Sequence, residues 1–207
     1  MGGDVMTERR RRSVRLPAYD YTSPGAYFVT ICAYGRRCIF DAPEVRQLIE
    51  KRWIQTPHHF PNAATDEFVI MPNHMHGIIW IVAANAAVGA SAGVGAQHAT
   101  PLLQTPSGSL GAIVRSFKSA VTKCLNETLD TPGAPVWQRN YYERIIRNED
   151  ELRRVREYIR FNPLQWEFDR ENPNRVLNAA HEREWGWLEG TGGPGRGAAC
   201  YAPTTAG

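Results

Sequence analysis

Apolar and polar positions along the chain follow two different periods, and the switches between them mark out the elements. The run GAYFVTICAYGRRCIF, residues 25–40, holds Tyr27, Phe28, Val29, Thr30, Ile31 and Cys32 in one β-rich stretch. Gly35 breaks it, which predicts a first strand and a turn. From Pro43, PEVRQLIEKRWIQTPHHF spaces Val45, Leu48, Ile49 and Trp53 at helical intervals, so a helix follows with Asp41 as its cap. Residues 68–82 return to a strand pattern that Pro72 and Asn73 interrupt. Proline has no N–H to give a ladder, so the interruption predicts a bulge or an edge position. SLGAIVRSFKSAVTKCLNET sets Leu110, Ile113, Val114, Phe117, Val121 and Leu125 on one face of a helix capped near Ser109. VWQRNYYERIIR reads as a strand between loops. NEDELRRVREYIRFNP reads as a helix that Asn148 caps, on which Glu151 closes back and which Pro163 ends. Strand, helix, strands, helix, strand, helix is the order of an α+β sandwich, with helices packed against an antiparallel sheet.

The total length of 207 residues accommodates one domain with a proper core. The expected organisation is a basic amino-terminal arm over residues 1–24, a globular domain over 25–187 and a glycine-rich disordered tail over 188–207. Residues 83–108, AANAAVGASAGVGAQHATPLLQTPSG, form a low-complexity insertion expected to run over the surface. The four cysteines show neither CxxC spacing nor a disulfide framework, which points to reduced thiols in a cytoplasmic protein. The amino-terminal arginines precede no apolar core of a secretory signal, and the apolar run near Ile78 is too short and too alanine-rich to cross a bilayer.

The net charge of +3 permits a nucleic-acid partner without demanding one, and the distribution says more than the total. Arg9, Arg10, Arg11, Arg12 and Arg15 cluster at the amino end; Arg139, Arg144, Arg147, Arg153, Arg154, Arg156 and Arg160 crowd a later stretch. Arginine grips phosphate oxygens with two parallel hydrogen bonds, although Glu143, Glu149, Asp150, Glu151 and Glu157 are there as counter-charges for a solvated helix face.

The candidate chemistry centres on VIMPNHMHGIIW. His74 and His76, two positions apart on a strand, point to the same face, where they fit either a divalent cation or a pair of hydrogen-bonded core histidines. Tyr158 and Asn162, four apart, lie one above the other on the late helix, so Asn162 could complete a two-histidine site beside a phenol. Tyr158 equally fits core-edge packing, and Tyr141 and Tyr142 are competing phenols.

MPNHMHGIIW resembles the histidine-hydrophobic-histidine motif of the HUH single-tyrosine transposases. VWQRNYYERIIRNEDELRRVREYIRFNPLQW resembles the signature of the REP-associated tyrosine transposases, and RRRSVRLPAYDYTSPGAYFVTIC resembles their amino end. The resemblance runs from about Arg9 to about Trp166. It implies the HUH fold, a central antiparallel sheet flanked by helices, with His74 and His76 as metal ligands, Tyr158 as nucleophile and Asn162 as a further ligand. It also implies a magnesium or manganese cofactor, although the histidines would accept zinc by ligand chemistry alone. The implied activity is cleavage and transfer of single-stranded DNA near hairpin elements through a 5′-phosphotyrosine link, with no nucleotide cofactor and a monomer or homodimer as the working unit. DNA contacts are expected from Arg9, Arg10, Arg11, Arg12, Arg115, Lys118, Arg139, Arg153 and Arg154, with Tyr19, Tyr21 or Trp137 available to stack on bases, although a buried tryptophan is the safer reading of Trp137. Two other readings stand beside it: a catalytically silent DNA or RNA hairpin binder, and a metal hydrolase that activates water with no covalent step. The residues 83–108 segment is longer than the usual connection in such proteins, and the glycine-rich tail matches nothing in them.

Overall fold

A computed structural model describes residues 19–83 and 107–188. Its elements in chain order are β1 (Gly25–Cys32), α1 (Pro43–Ile54), α2 (Thr56–His59), β2 (Ala63–Ile70), β3 (His74–Ile81), α3 (Leu110–Thr128), β4 (Tyr142–Ile146), α4 (Glu149–Phe161) and α5 (Ala179–Trp185). The four strands form one sheet in the order β2-β3-β1-β4, all neighbours antiparallel, so the α+β sandwich read from the pattern is the architecture found.

Strand alternation sorts the side chains into two cores. Tyr27, Val29 and Ile31 of β1 and Met75, Ile79 and Ile81 of β3 meet Val45, Ile49 and Trp53 of α1 and Ile113, Phe117 and Val121 of α3. On the other face Phe28, Ile78, Tyr142 and Ile146 meet Leu152, Val155, Tyr158 and Ile159 of α4, together with Trp185 and Leu188. His74 and His76 belong by register to this second face, opposite Cys32 and Thr30 of β1. Gly77 faces the first core, where a Cβ would stand 2.5 Å from a ring carbon of Trp53, so only a glycine lets that indole lie against β3.

The helix starts follow the capping chemistry with two departures. Ser109 accepts from the Ala112 N–H, and Asn148 accepts from the Glu151 N–H at 2.8 Å. Glu151 closes back one residue further than a capping box requires, onto the Arg147 N–H. The cap position of α1 is Ala42, with no side-chain cap bond. Asp41 instead belongs to a short 3-10 turn and lies 3.8 Å from Arg46, because Pro43 at the helix start has no N–H for it to receive.

Pro72 and Asn73 form the hairpin turn between β2 and β3, and neither a bulge nor an edge accounts for them. The Pro72 and Asn73 carbonyls accept from the N–H groups of Phe40 and Ala33, and Met71 N–H donates to the His74 carbonyl. The bulge in this region lies within β2, between Thr65 and Phe68. Ordered packing begins before Gly25: Tyr21 is buried, and the Tyr27 hydroxyl donates to the Ser23 carbonyl. At the other end Leu188 is fully buried. Arg9, Arg10, Arg11, Arg12, most of the low-complexity insertion and residues 189–207 of the glycine-rich tail lie outside the described residues.

Candidate metal and tyrosine site

The site is assembled from one strand, one helix end and the turn that follows it. β3 presents His74 and His76 with their Nε2 atoms 2.9 Å apart. Two ligand atoms held about 2.1 Å from one cation at right angles stand about 3 Å apart, so this separation suits a shared ion. The outer ring nitrogens have partners: Asn73 Oδ1 lies 2.9 Å from His74 Nδ1, and Thr30 Oγ1 lies 2.9 Å from His76 Nδ1. Such outer partners orient metal-binding imidazoles.

The late helix brings Tyr158 and Asn162 to the same place, as their four-residue spacing predicts. The Tyr158 hydroxyl stands 3.3 Å from His76 Nε2, and its ring packs against Phe28, His76 and Trp185. Asn162 is the residue on which α4 ends; its amide N–H donates to Asp169 Oδ2 at 2.9 Å, while its Oδ1 is buried with no hydrogen-bond partner among the described residues. A buried acceptor without a donor is costly in an apolar site and suits a cation.

Asp169 is the member that sequence spacing misses. After Pro163 the chain runs through a 3-10 segment, Asn162–Phe168, and returns Asp169 beneath the histidines. Its Oδ2 lies 3.7 Å from His74 Nε2 and 3.9 Å from His76 Nε2, and its Oδ1 accepts from the Glu171 N–H. The ligand atoms of His74, His76 and Asp169 all fall within 4.8 Å of one another, and all three residues are buried. A set of two imidazoles, a carboxylate and an amide oxygen suits manganese, zinc or magnesium chemistry.

Burial pushes the His74 imidazole down to about 3, so its ring is neutral at ordinary pH and has a lone pair to offer. Burial pushes the Asp169 carboxyl up, but the two imidazoles and the Asn162 amide outweigh it and hold the acid ionised, below the usual carboxylate range. Tyr142 takes no part: its hydroxyl donates to the Leu188 carbonyl at 2.7 Å, and burial pushes its phenol up. Tyr141 packs on the opposite face of the sheet.

The described basic residues named from sequence fall into two places. Arg115, Lys118 and Arg139 line one open groove of about 730 Å³ between α3 and the segment before β4, joined there by Lys123, Gln138 and Asn140. Lys118 donates to the Gln138 and Arg139 carbonyls, tying that segment to α3. Arg153 and Arg154 are instead on α4, where Arg153 pairs with Asp150 and Arg154 lies over the Trp187 ring. Two of the aromatic residues available to stack on bases are core residues: Tyr21 packs on Tyr19 and Tyr27, and Trp137, as its buried reading has it, on Phe40 and Phe117.

No family model matches the chain. An uncharacterized protein of Haemophilus influenzae is 41% identical over 169 residues, covering 77% of this chain and 91% of that one. A solved structure of a REP-associated tyrosine transposase bound to a REP hairpin aligns with a TM-score of 0.50 at 20% identity, over 78% of this chain and 74% of the other. Among the described residues, no helix is long and apolar enough to cross a membrane. The chain belongs to one sequence family with the Haemophilus influenzae protein, and in fold it resembles that REP-associated tyrosine transposase.

Proposed function

We propose that the protein is a metal-dependent single-stranded DNA endonuclease and strand transferase, a transposase that cuts beside hairpin elements through a 5′-phosphotyrosine intermediate. The observation that carries this reading is the Tyr158 hydroxyl 3.3 Å from His76 Nε2, at the edge of the buried His74, His76 and Asp169 group. A phenol ionises near pH ~10, so it works as a nucleophile at neutral pH only in a site that favours its attack. His74, His76, Asp169 and the Asn162 Oδ1 would hold the divalent cation, magnesium or manganese, which when bound polarises a phosphate oxygen and offsets its charge.

Tyr158 does the bond-making. Its phenol oxygen attacks a backbone phosphorus as the bond to the departing 3′ oxygen breaks, the phenol proton passes to solvent, and the departing oxygen takes one up from solvent. The 5′ phosphate stays on the tyrosine and the released strand carries a 3′-hydroxyl. Attack by another 3′-hydroxyl reverses the step and joins strands, with the phosphodiester energy kept in the tyrosine link. Phe28 and Trp185 hold the Tyr158 ring from two sides, which limits the positions its oxygen takes. Arg115, Lys118 and Arg139 in the α3 groove, with Arg153 and Arg154 on α4, would contact the DNA backbone. The hairpin held by the solved transposase of like fold supports a hairpin as the target.

The test is incubation of the full chain with manganese and labelled single-stranded hairpin DNA, followed by denaturing electrophoresis. A protein–DNA adduct in the wild type, absent in Tyr158→Phe although that variant still binds DNA, is the expected result. Cleavage by both proteins with no adduct makes the protein a water-activating hydrolase, and binding without cleavage makes it a hairpin binder.

A further inference from the structure

Asn73, the residue before the histidine pair, touches one of its two rings. Asn73 Nδ2 donates to the Glu171 carbonyl at 2.7 Å and to the Arg36 carbonyl at 3.2 Å. Carbonyl oxygens only accept, so these two bonds fix which way the Asn73 amide faces. Its Oδ1 is therefore the atom 2.9 Å from His74 Nδ1. An acceptor there requires a proton on His74 Nδ1 and leaves the lone pair on Nε2. His76 has a different neighbour, the Thr30 hydroxyl, 2.9 Å from its Nδ1. A hydroxyl gives or receives a hydrogen bond by rotating about one bond.

The two Nε2 atoms face each other at 2.9 Å. Two lone pairs at that distance repel, so with no cation between them His76 carries a proton on Nε2 and donates it to His74. Thr30 then donates to His76 Nδ1. We propose that Asn73 is a positioning residue that locks His74 in the Nδ1–H tautomer, and that the Thr30 hydroxyl lets His76 alone change tautomer when the pair takes up a divalent cation. The balance is simple: a proton leaves His76 Nε2, one arrives at His76 Nδ1, and the Thr30 hydroxyl turns from donor to acceptor. His74 offers its lone pair throughout. The consequence for cation binding rests on the metal reading above; the tautomer of His74 does not.

The experiment is two-bond proton–nitrogen correlation spectroscopy of the full chain labelled with 15N-histidine, first metal-free and then with zinc as a diamagnetic probe. The metal-free wild type is expected to carry protons on His74 Nδ1 and His76 Nε2, and zinc is expected to move the His76 proton to Nδ1. Asn73→Asp retains an acceptor and keeps the His74 tautomer. Asn73→Leu releases it and weakens zinc binding by calorimetry by about 10–100-fold, the range for loss of an outer partner. Thr30→Val leaves His74 unchanged. A proton on His74 Nε2 in the metal-free wild type overturns the proposal without any variant, as does an Asn73→Leu protein with the wild-type tautomer and affinity. A wild type that binds no divalent cation removes the metal reading, while the metal-free spectra still decide the role of Asn73.

Discussion

Asp169 and Asn162 share one hydrogen bond at the floor of the site, and the share is unequal: the acid receives the amide N–H, and the amide oxygen has no partner among the described residues. Changing Asp169 to asparagine keeps the shape and removes the charge. Isothermal calorimetry with manganese is expected to show affinity for Asp169→Asn at least about 10-fold below the wild type, and an unchanged affinity would take Asp169 out of the ligand set. The residues that sequence exposed here are those whose spacing matches an element's own period. His74 and His76 share a face because a strand repeats every two residues, and Tyr158 and Asn162 because a helix nearly repeats every four. Asp169 comes after a 3-10 segment with a kink at Gln165, and no period carries a reader across it. Tyr21 misleads for a different reason: an aromatic side chain near a basic run has the same pattern whether it stacks on a base or fills a core.

At the scale of elements, α4 is held to the sheet by more than its apolar stripe. Arg156 meets both oxygens of Asp66, with Nε 3.2 Å from Oδ1, and Trp80 Nε1 donates to the same carboxylate at 2.9 Å. Arg160 pairs with Glu67 beside it. Burial pushes the Asp66 carboxyl up, but the Arg156 and Trp80 hydrogen bonds outweigh it and hold it below its ordinary value. A carboxyl lowered by folding adds stability that is complete above its unfolded pKa of about 3.9 and is lost as pH falls through its folded value. Denaturant titration is therefore expected to find Asp66→Asn about 1–2 kcal/mol less stable than the wild type at pH 7, the gap narrowing below about pH 4. A gap independent of pH would mean that the ion pair contributes nothing. On the opposite face, Gly77→Ala drives a methyl group into Trp53 and is expected to lose about 1–3 kcal/mol with a shifted indole emission, and Trp53→Leu in the same chain should recover part of the loss. The hairpin turn at Pro72 was legible as an interruption and illegible as a turn, because its carbonyls are satisfied by Phe40 and Ala33, residues more than thirty positions away in sequence.

For the whole molecule, His74, His76, Asp169 and Tyr158 meet within one chain. Mixing Tyr158→Phe with a His74→Ala, His76→Ala double variant is thus expected to yield no adduct; recovery of activity on mixing would mean that chains exchange their α4 helices. The α3 groove lies across the sheet from the site, since its helix packs on the first core and Tyr158 on the second. Paired substitution of Arg115 and Arg139 by glutamine is expected to lower the slope of log affinity against log salt by about 0.7 for each single-strand phosphate that is no longer neutralised, while leaving the histidine site intact. An unchanged slope would place the DNA elsewhere. The bulge between Thr65 and Phe68 also shapes the border of the sheet. It breaks the register of an outermost strand at the place where Asp66 and Glu67 are engaged by arginines from above. A kinked border carrying charges is a poor template for another strand, so the sheet is closed to growth on the β2 side, and among the described strands β4 is the border without such a break.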